Sequence, residues 1–495
     1  MASPSAPAKS QYHHYIPRFI LRNFAHPFKP AEIPPKGSAK RGKRSRKNGY
    51  HPGEPMLHAI NLTGATAELI ETPVSRTFGL VDMYRDLEGA ANQHYLEEQL
   101  SRLESRTGQI IHKIRKAFEA GEREVWITRP DRNMLRKFLF IMKYRGTGQH
   151  RRFYHQNAEG YSEDDREPLL TYMREKGYQK PIDVWFDNIK VMLELKMDPE
   201  GEWMEELRKR VYPDDAEMYI AHTQMMYLAL CTPSAKDDEF LLTENAYNIH
   251  EGPNSLLIHP DTGESIMGCY TEFHVFSVVS PKLIMVLRSF LLPIPEEDSD
   301  EEIKLWRETM LQLNIIQHND PLHVRSILED LPVTKARNSY TRLVDGRIVL
   351  LDGENGSPRS DHKYCFRFFP ISTEHVNKIN RIMLEQSHNS ATIVFKSRLA
   401  TRKTLDYYLS LPCDGGFKMV GSAPNDPKLV CLKKLEQAVK QLGSDTTAVY
   451  HQMQPSKISD GDEFETLGQM LAKDFPKEPT TFMKLYAKLG KLITD

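Results

Sequence analysis

The chain has 495 residues, 40% of them hydrophobic, and its 66 lysines and arginines nearly cancel its 67 acidic residues. That is enough apolar material for a sizeable core, and the charge balance excludes a global electrostatic case for nucleic acid or membrane surface. Five scattered cysteines (Cys231, Cys269, Cys365, Cys413 and Cys431) form no CxxC pair, which excludes zinc-finger spacing and predicts reduced thiols rather than a disulfide framework.

Residues 1–10 are Pro, Ala and Ser with one Lys, a disordered tail without the apolar centre of a secretory signal. The most apolar stretch, Phe273 to Ile294, carries Pro281, Lys282 and Arg288, so buried strands fit it better than a membrane span. A soluble cytoplasmic protein is expected, or a nuclear one if the basic run below is an import signal.

Tyr12 to Phe24 reads as a strand followed by a helix. Pro17 keeps Ile16 out of the helical region, so His13 and His14 are extended and point to opposite faces. Pro17 suits the first helical position. A helix from there stacks Ile20 on Phe24 and Arg18 on Arg22, each pair four apart. Next, residues at about 28–55 form a Pro-, Gly- and Lys/Arg-rich insertion, expected to be disordered. Its centre, Lys40, Arg41, Lys43, Arg44, Arg46 and Lys47, fits a nuclear-import signal or a patch contacting nucleic-acid phosphates; the alternative is a solvated loop with no reader.

Met56 to Leu80 reads as strands and turns. Leu96, Leu100, Leu103, Ile110, Ile111, Ile114 and Phe118 recur every three or four residues, an amphipathic helix ending before Gly121. Glu97 and Glu104, seven apart, share one of its faces. Pro130-Asp131 opens a second helix that closes near Gly146, and the helical pattern continues from Pro181, with Met218 to Leu230 as its last piece. After Pro233 the character turns to strands: Phe240 to Thr243, Phe273 to Val279, Leu283 to Leu287, a hairpin turn at Val344-Asp345-Gly346-Arg347, and Tyr364 to Phe369. Glu296 to Glu302 is an acidic surface stretch. Thr373 caps a helix whose inner face carries Val376, Ile379 and Met383. Beyond Pro412, Lys428 to Leu442 and Thr480 to Leu489 are helical and read as a peripheral extension.

The pattern His-Tyr-Ile-Pro-Arg-Phe-Ile-Leu-Arg-Asn-Phe at positions 14–24 resembles the start of the family called domain of unknown function 4238 (DUF4238). Further blocks resemble it too: the helix at Tyr95 to Phe118, Met142-Lys143-Tyr144-Arg145, the strand Phe240-Leu241-Leu242-Thr243 with Glu244-Asn245, and Phe369-Pro370-Ile371-Ser372 with the helix containing Asn380. Where the family has Asp after the Leu-Thr strand, this chain has Glu244-Asn245. The resemblance spans Gln11 to Leu399 and implies a fold but no reaction. The fold expected is α+β: a helical layer on a mainly antiparallel sheet, in one domain over residues 11–411, with a helical extension over 412–495.

There is no GxxxxGK[ST], HExxH or GxSxG, and no dinucleotide fingerprint. The resemblance instead assembles a set: His13, His14, Arg18, Glu97, Glu104, Arg145, Glu244 and Asn245. Histidine beside a carboxylate can act as a general base, arginines grip phosphate, and glutamates can hold a divalent metal, although no ligand motif is present. Such a set suits metal-assisted hydrolysis of a phosphoester. The same residues could also be an ion-pair network that only holds the fold, in a protein that works as a nucleic-acid or protein-interaction module.

Overall fold

The computed structural model describes residues 10–29, 50–85, 92–155, 157–163, 165–258, 265–316, 318, 324–344, 347–413 and 416–452. The basic run from Lys40 to Lys47, residues 1–9 of the N-terminal tail and the helix expected at Thr480 to Leu489 lie outside these residues.

The chain starts with β1 (Tyr12–His14) and α1 (Arg18–Phe24). Pro17 is the cap before α1 rather than its first residue, its ψ of 139° holding the chain extended up to the helix. Ile20, Leu21 and Phe24 are buried and Arg18 and Arg22 exposed, as the spacing requires. Phe19 lies on Gly108 and beside Phe138, 6.1 Å between rings, and the Asn23 amide donates to the Val279 carbonyl at 2.7 Å. This seven-residue helix is thus wedged into the core. Then come β2 (His26–Pro27), β3 (Pro55–Asn61), β4 (Glu68–Pro73) and β5 (Gly79–Val81), which pairs antiparallel with β1. The two strands meet so closely that a Cβ at Gly79 would stand 2.5 Å from the His13 carbonyl oxygen.

The helical layer follows. α2 (Tyr95–Glu119) buries Leu96, Leu100, Leu103, Ile110, Ile111 and Ile114. A short strand, β6 (Glu124–Thr128), leads into α3 (Arg129–Tyr144), where the Thr128 hydroxyl accepts from the Asp131 N–H as an N-cap. After them come α4 (Thr147–Phe153), α5 (Arg166–Lys176), α6 (Pro181–Glu194), α7 (Trp203–Arg210) and α8 (Pro213–Gln224). Asp215 ties three of these together, accepting from the Tyr144 hydroxyl at 2.6 Å and the Asn188 amide at 2.8 Å.

The helix expected over Met218 to Leu230 is corrected here: α8 stops at Gln224 and Met226 opens β7 (Met226–Pro233). Seven of the eight residues of β7 are buried, so both faces are apolar and the run lacks the alternation that marks a half-exposed strand. Next are β8 (Leu242–Thr243), β9 (Ile249–Glu251), a hairpin of β10 (Asn254–Ile258) and β11 (Ser265–Tyr270), β12 (His274–Ser280) and β13 (Leu283–Ser289). α9 (Glu301–Ile315), β14 (Arg337–Asn338), the hairpin β15 (Thr341–Val344) and β16 (Arg347–Leu350), and β17 (Lys363–Ile371) complete this part. The larger sheet runs β14-β17-β7-β13-β12-β9, with β6 on β17. Its pairs are antiparallel except β17 with β7. The acidic surface stretch is also corrected in part. Glu297 is buried, 2.9 Å from both the Arg307 and Lys335 nitrogens, because two basic groups from later elements converge on it.

Ser372, one residue before Thr373, caps α10 (Thr373–Glu385) by accepting from the His375 N–H. The remaining elements are β18 (Thr392–Phe395), α11 (Arg398–Ser410), β19 (Met419–Val420), α12 (Pro427–Gln441) and β20 (His451–Gln452). β18 joins β3 in the smaller sheet, β2-β3-β18-β8 with β4 on β3. Under it lies a second core of Ile60, Ile393, Phe395, Leu405, Leu432 and Leu435, to which α12 contributes its inner face. The fold is α+β with mainly antiparallel sheets. Among the described residues, no helix is long and apolar enough to cross a membrane.

Candidate functional site

The two histidines of β1 diverge, as an extended backbone demands. His13 is buried, and its Nδ1 accepts from the Tyr84 backbone N–H at 3.0 Å while its ring stacks on that of Tyr84, 5.5 Å between centroids. An accepting Nδ1 puts the proton on Nε2, and that N–H is buried with no partner. His14 goes the other way. Its Nδ1 donates to the Thr77 carbonyl at 3.0 Å, leaving Nε2 with the lone pair. Burial, with Arg18 and Arg145 nearby, pushes the His14 pKa below its ordinary value, so the ring is neutral at pH 7.

Arg145 ends α3 and is 1% exposed. Its Nη2 lies 2.7 Å from Glu104 Oε1, and its guanidinium carbon is 5.8 Å from the centre of the Tyr84 ring. Burial works against its charge, but Glu104, Tyr84 and Glu97 outweigh that and its pKa is raised. Glu97 and Glu104 reach it from one face of α2. Burial raises the pKa of both carboxyls, and Arg145 offsets only part of the rise. Besides His13 Nε2, the Tyr84 hydroxyl and Arg145 Nε are buried without a hydrogen-bond partner. Thr107 Oγ1, one turn along from Glu104, is in the same state. Most buried polar groups in folded proteins are paired. Three of the unpaired ones belong to Tyr84, to the His13 ring stacked on it and to the Arg145 guanidinium 5.8 Å from its centre.

Glu244 and Asn245 reach this neighbourhood from β8 but are committed elsewhere. Glu244 hydrogen-bonds the Tyr15 hydroxyl and accepts from the Ala391 N–H at 2.6 Å. Asn245 accepts from Thr243 Oγ1 at 2.9 Å and donates to the Gln386 carbonyl at 2.8 Å. These bonds join β8 to the segments around α10 and β18. Arg18 is exposed at the start of α1, on the His14 side.

The model of the family described as Protein of unknown function (DUF4238) matches residues 12–398. This chain belongs to DUF4238. No curated protein and no solved structure matches it. Of the DUF4238 opening motif, His13 reaches the Tyr84 ring, while His14, on the opposite face of the strand, feels the charge of Arg145 from the Met142 to Arg145 block. Tyr84 is the residue that sequence reasoning missed. No spacing marks it, because it arrives through a turn in which Phe78 and Asp82 both hold φ of 54° without being glycine.

Other clusters in this DUF4238 chain have different roles. Glu251, His274 and Ser326 are the residue types of a hydrolytic triad, yet Ser326 and Glu251 both sit on His274 Nδ1, at 3.4 and 2.9 Å. Nε2 accepts from Arg288 at 3.1 Å. No ring nitrogen is left to take the serine proton, so the set is structural. A cavity of about 460 Å³ between the starts of α10 and α11 is lined by Lys236, Asp237, Glu239, Asn377 and Lys403 and does not include Tyr84 or Arg145. Among the described residues, Glu97, Glu104 and Glu244 do not make a three-ligand metal group; His26, His58 and Glu71 do.

Proposed function

We propose that the chain is a hydrolase acting on a phosphoester at the site around Arg145. The observation that carries this is the unpaired set of Tyr84 hydroxyl, His13 Nε2–H and Arg145 Nε. All three can donate, and buried donors left unpaired are available to stabilise an oxyanion or a phosphoryl oxygen. His14 and Glu97 both lie close enough to Arg145 to feel its charge. The imidazole is a neutral base, and the carboxyl titrates closer to neutrality than an ordinary glutamate, which suits proton transfer. Glu104 holds Arg145 in place. Glu244 and Asn245 serve the fold in this reading, and no metal is assigned at this site.

If the phosphoester belongs to a nucleic acid, Lys40, Arg41, Lys43, Arg44, Arg46 and Lys47 would add sequence-independent phosphate contacts, and affinity would fall steeply with salt. The alternative, a non-enzymatic interaction module with a structural cluster, is favoured by the saturated bonding of Glu244 and Asn245. Turnover of bis(p-nitrophenyl) phosphate and of DNA and RNA oligonucleotides separates the two. Hydrolysis by the parent and its loss in Arg145→Lys, which keeps the charge but not the planar fork, supports the enzyme. No turnover of any member by the folded parent contradicts it.

A further inference from the structure

Three residues far apart in the sequence meet on one face of the smaller sheet. His58 on β3 stands directly opposite Glu71 on β4, and His26 on β2 pairs beside Met56, two residues from His58 and so on the same face. His26 Nε2 is 3.2 Å and His58 Nδ1 3.7 Å from the same oxygen, Glu71 Oε1. One ligand atom from each of the three lies within 4.8 Å of the others. Phe395, opposite His58 on β18, backs the His58 ring at 5.7 Å.

We infer that His26, His58 and Glu71 bind one divalent transition-metal ion of the zinc class. Two imidazoles and one carboxylate are ligands for Zn, Co, Ni or Cu, whereas Mg and Ca require oxygen. Bonds of about 2.0–2.2 Å in a tetrahedral site put ligand atoms roughly 3.4 Å apart, close to the two separations from Glu71. The side chains keep 24, 28 and 50% of their surface exposed, so an ion can enter and one position stays open to water.

Binding requires a small rearrangement. The two imidazoles lie face to face, 4.1 Å apart and 22° from parallel, so their lone pairs do not yet converge. The soft ring torsion lets them turn, and His26 Nδ1, buried without a partner, gives up no hydrogen bond when it does. Lys396 and Arg398 act on His58 and oppose a cation, but the Lys396 ammonium is drawn off to the Ala25 carbonyl at 2.5 Å. The site is independent of the proposed hydrolase centre.

The test is titration of the chelator-treated full chain with Co²⁺, read by visible d–d absorption, and with Zn²⁺, read by calorimetry. One equivalent should bind to the parent. His26→Ala, His58→Ala and Glu71→Gln should each weaken binding at least tenfold, while His112→Ala, at an exposed position on α2, should not. Melting in chelator identifies any variant that fails to fold, and Glu71→Gln, nearly isosteric and half-exposed, keeps the test valid if a histidine variant does. No uptake by the parent, or parental affinity in folded Glu71→Gln, overturns the inference.

Discussion

Tyr84 separates a site from a packing cluster at the level of single atoms. Its hydroxyl is buried and unpaired, so Tyr84→Phe removes an uncompensated polar group and should leave the melting temperature unchanged or raise it. The same change should abolish any stabilisation by a bound phosphoester. A large loss of stability in Tyr84→Phe, seen by thermal melting, would mean that the hydroxyl has a structural partner. Arg145→Ala should behave oppositely, leaving the half-buried Glu104 and Glu97 carboxyls without their cation, at a cost on the order of 1–3 kcal/mol by denaturant unfolding. The divergence of His13 and His14 was legible, because alternation along a strand follows from backbone geometry alone. Which of them meets a carbonyl and which an N–H was not, since Thr77 and Tyr84 approach through a turn whose left-handed residues are not glycine.

Among the elements, α2 was legible to within a residue because its apolar positions repeat at the helical period over seven turns. β7 was not, because a strand buried on both faces and a buried helix are the same run of apolar letters. Gly79 in β5 shows a constraint that periodicity cannot carry. Gly79→Ala would force β1 off β5 and should cost roughly 1–3 kcal/mol by denaturant unfolding, as overpacking does. Where α3 meets the segment after β11, Glu272 is ion-paired with Lys143. Burial opposes the Glu272 charge, but Lys143 and His250 outweigh it and bring its pKa from 4.5 down to about 2. A carboxyl with a lowered folded-state pKa stabilises fully above pH 4.5, and that stability is lost as pH falls toward 2. The parent should therefore lose roughly 3 kcal/mol across that window relative to Glu272→Gln, measured by urea unfolding at each pH. Equal slopes for the two proteins would refute the pairing.

Taken whole, the described residues form a main core, a second one under the smaller sheet and a small cluster around Phe273, and α12 belongs to the second although the family match ends at residue 398. Gln437 accepts from the Ala67 N–H at 2.9 Å and the Lys434 ammonium donates to the Leu62 carbonyl at 2.6 Å, so α12 is bonded to the loop between β3 and β4. Leu435 is 0% exposed, and Leu435→Ala should cost about 2–5 kcal/mol, a core-sized loss. The sequence showed that a helix would form there, but not that the smaller sheet needs it as a cover. The central claim, that the Arg145 shell is a ligand site and not a knot of packing, is tested most directly by melting the parent, Tyr84→Phe and Glu97→Gln with and without a phosphodiester oligonucleotide. Parental or higher stability in both variants and an upward shift with ligand in the parent alone are expected. Large losses in both variants, with no ligand shift in the parent, would contradict it.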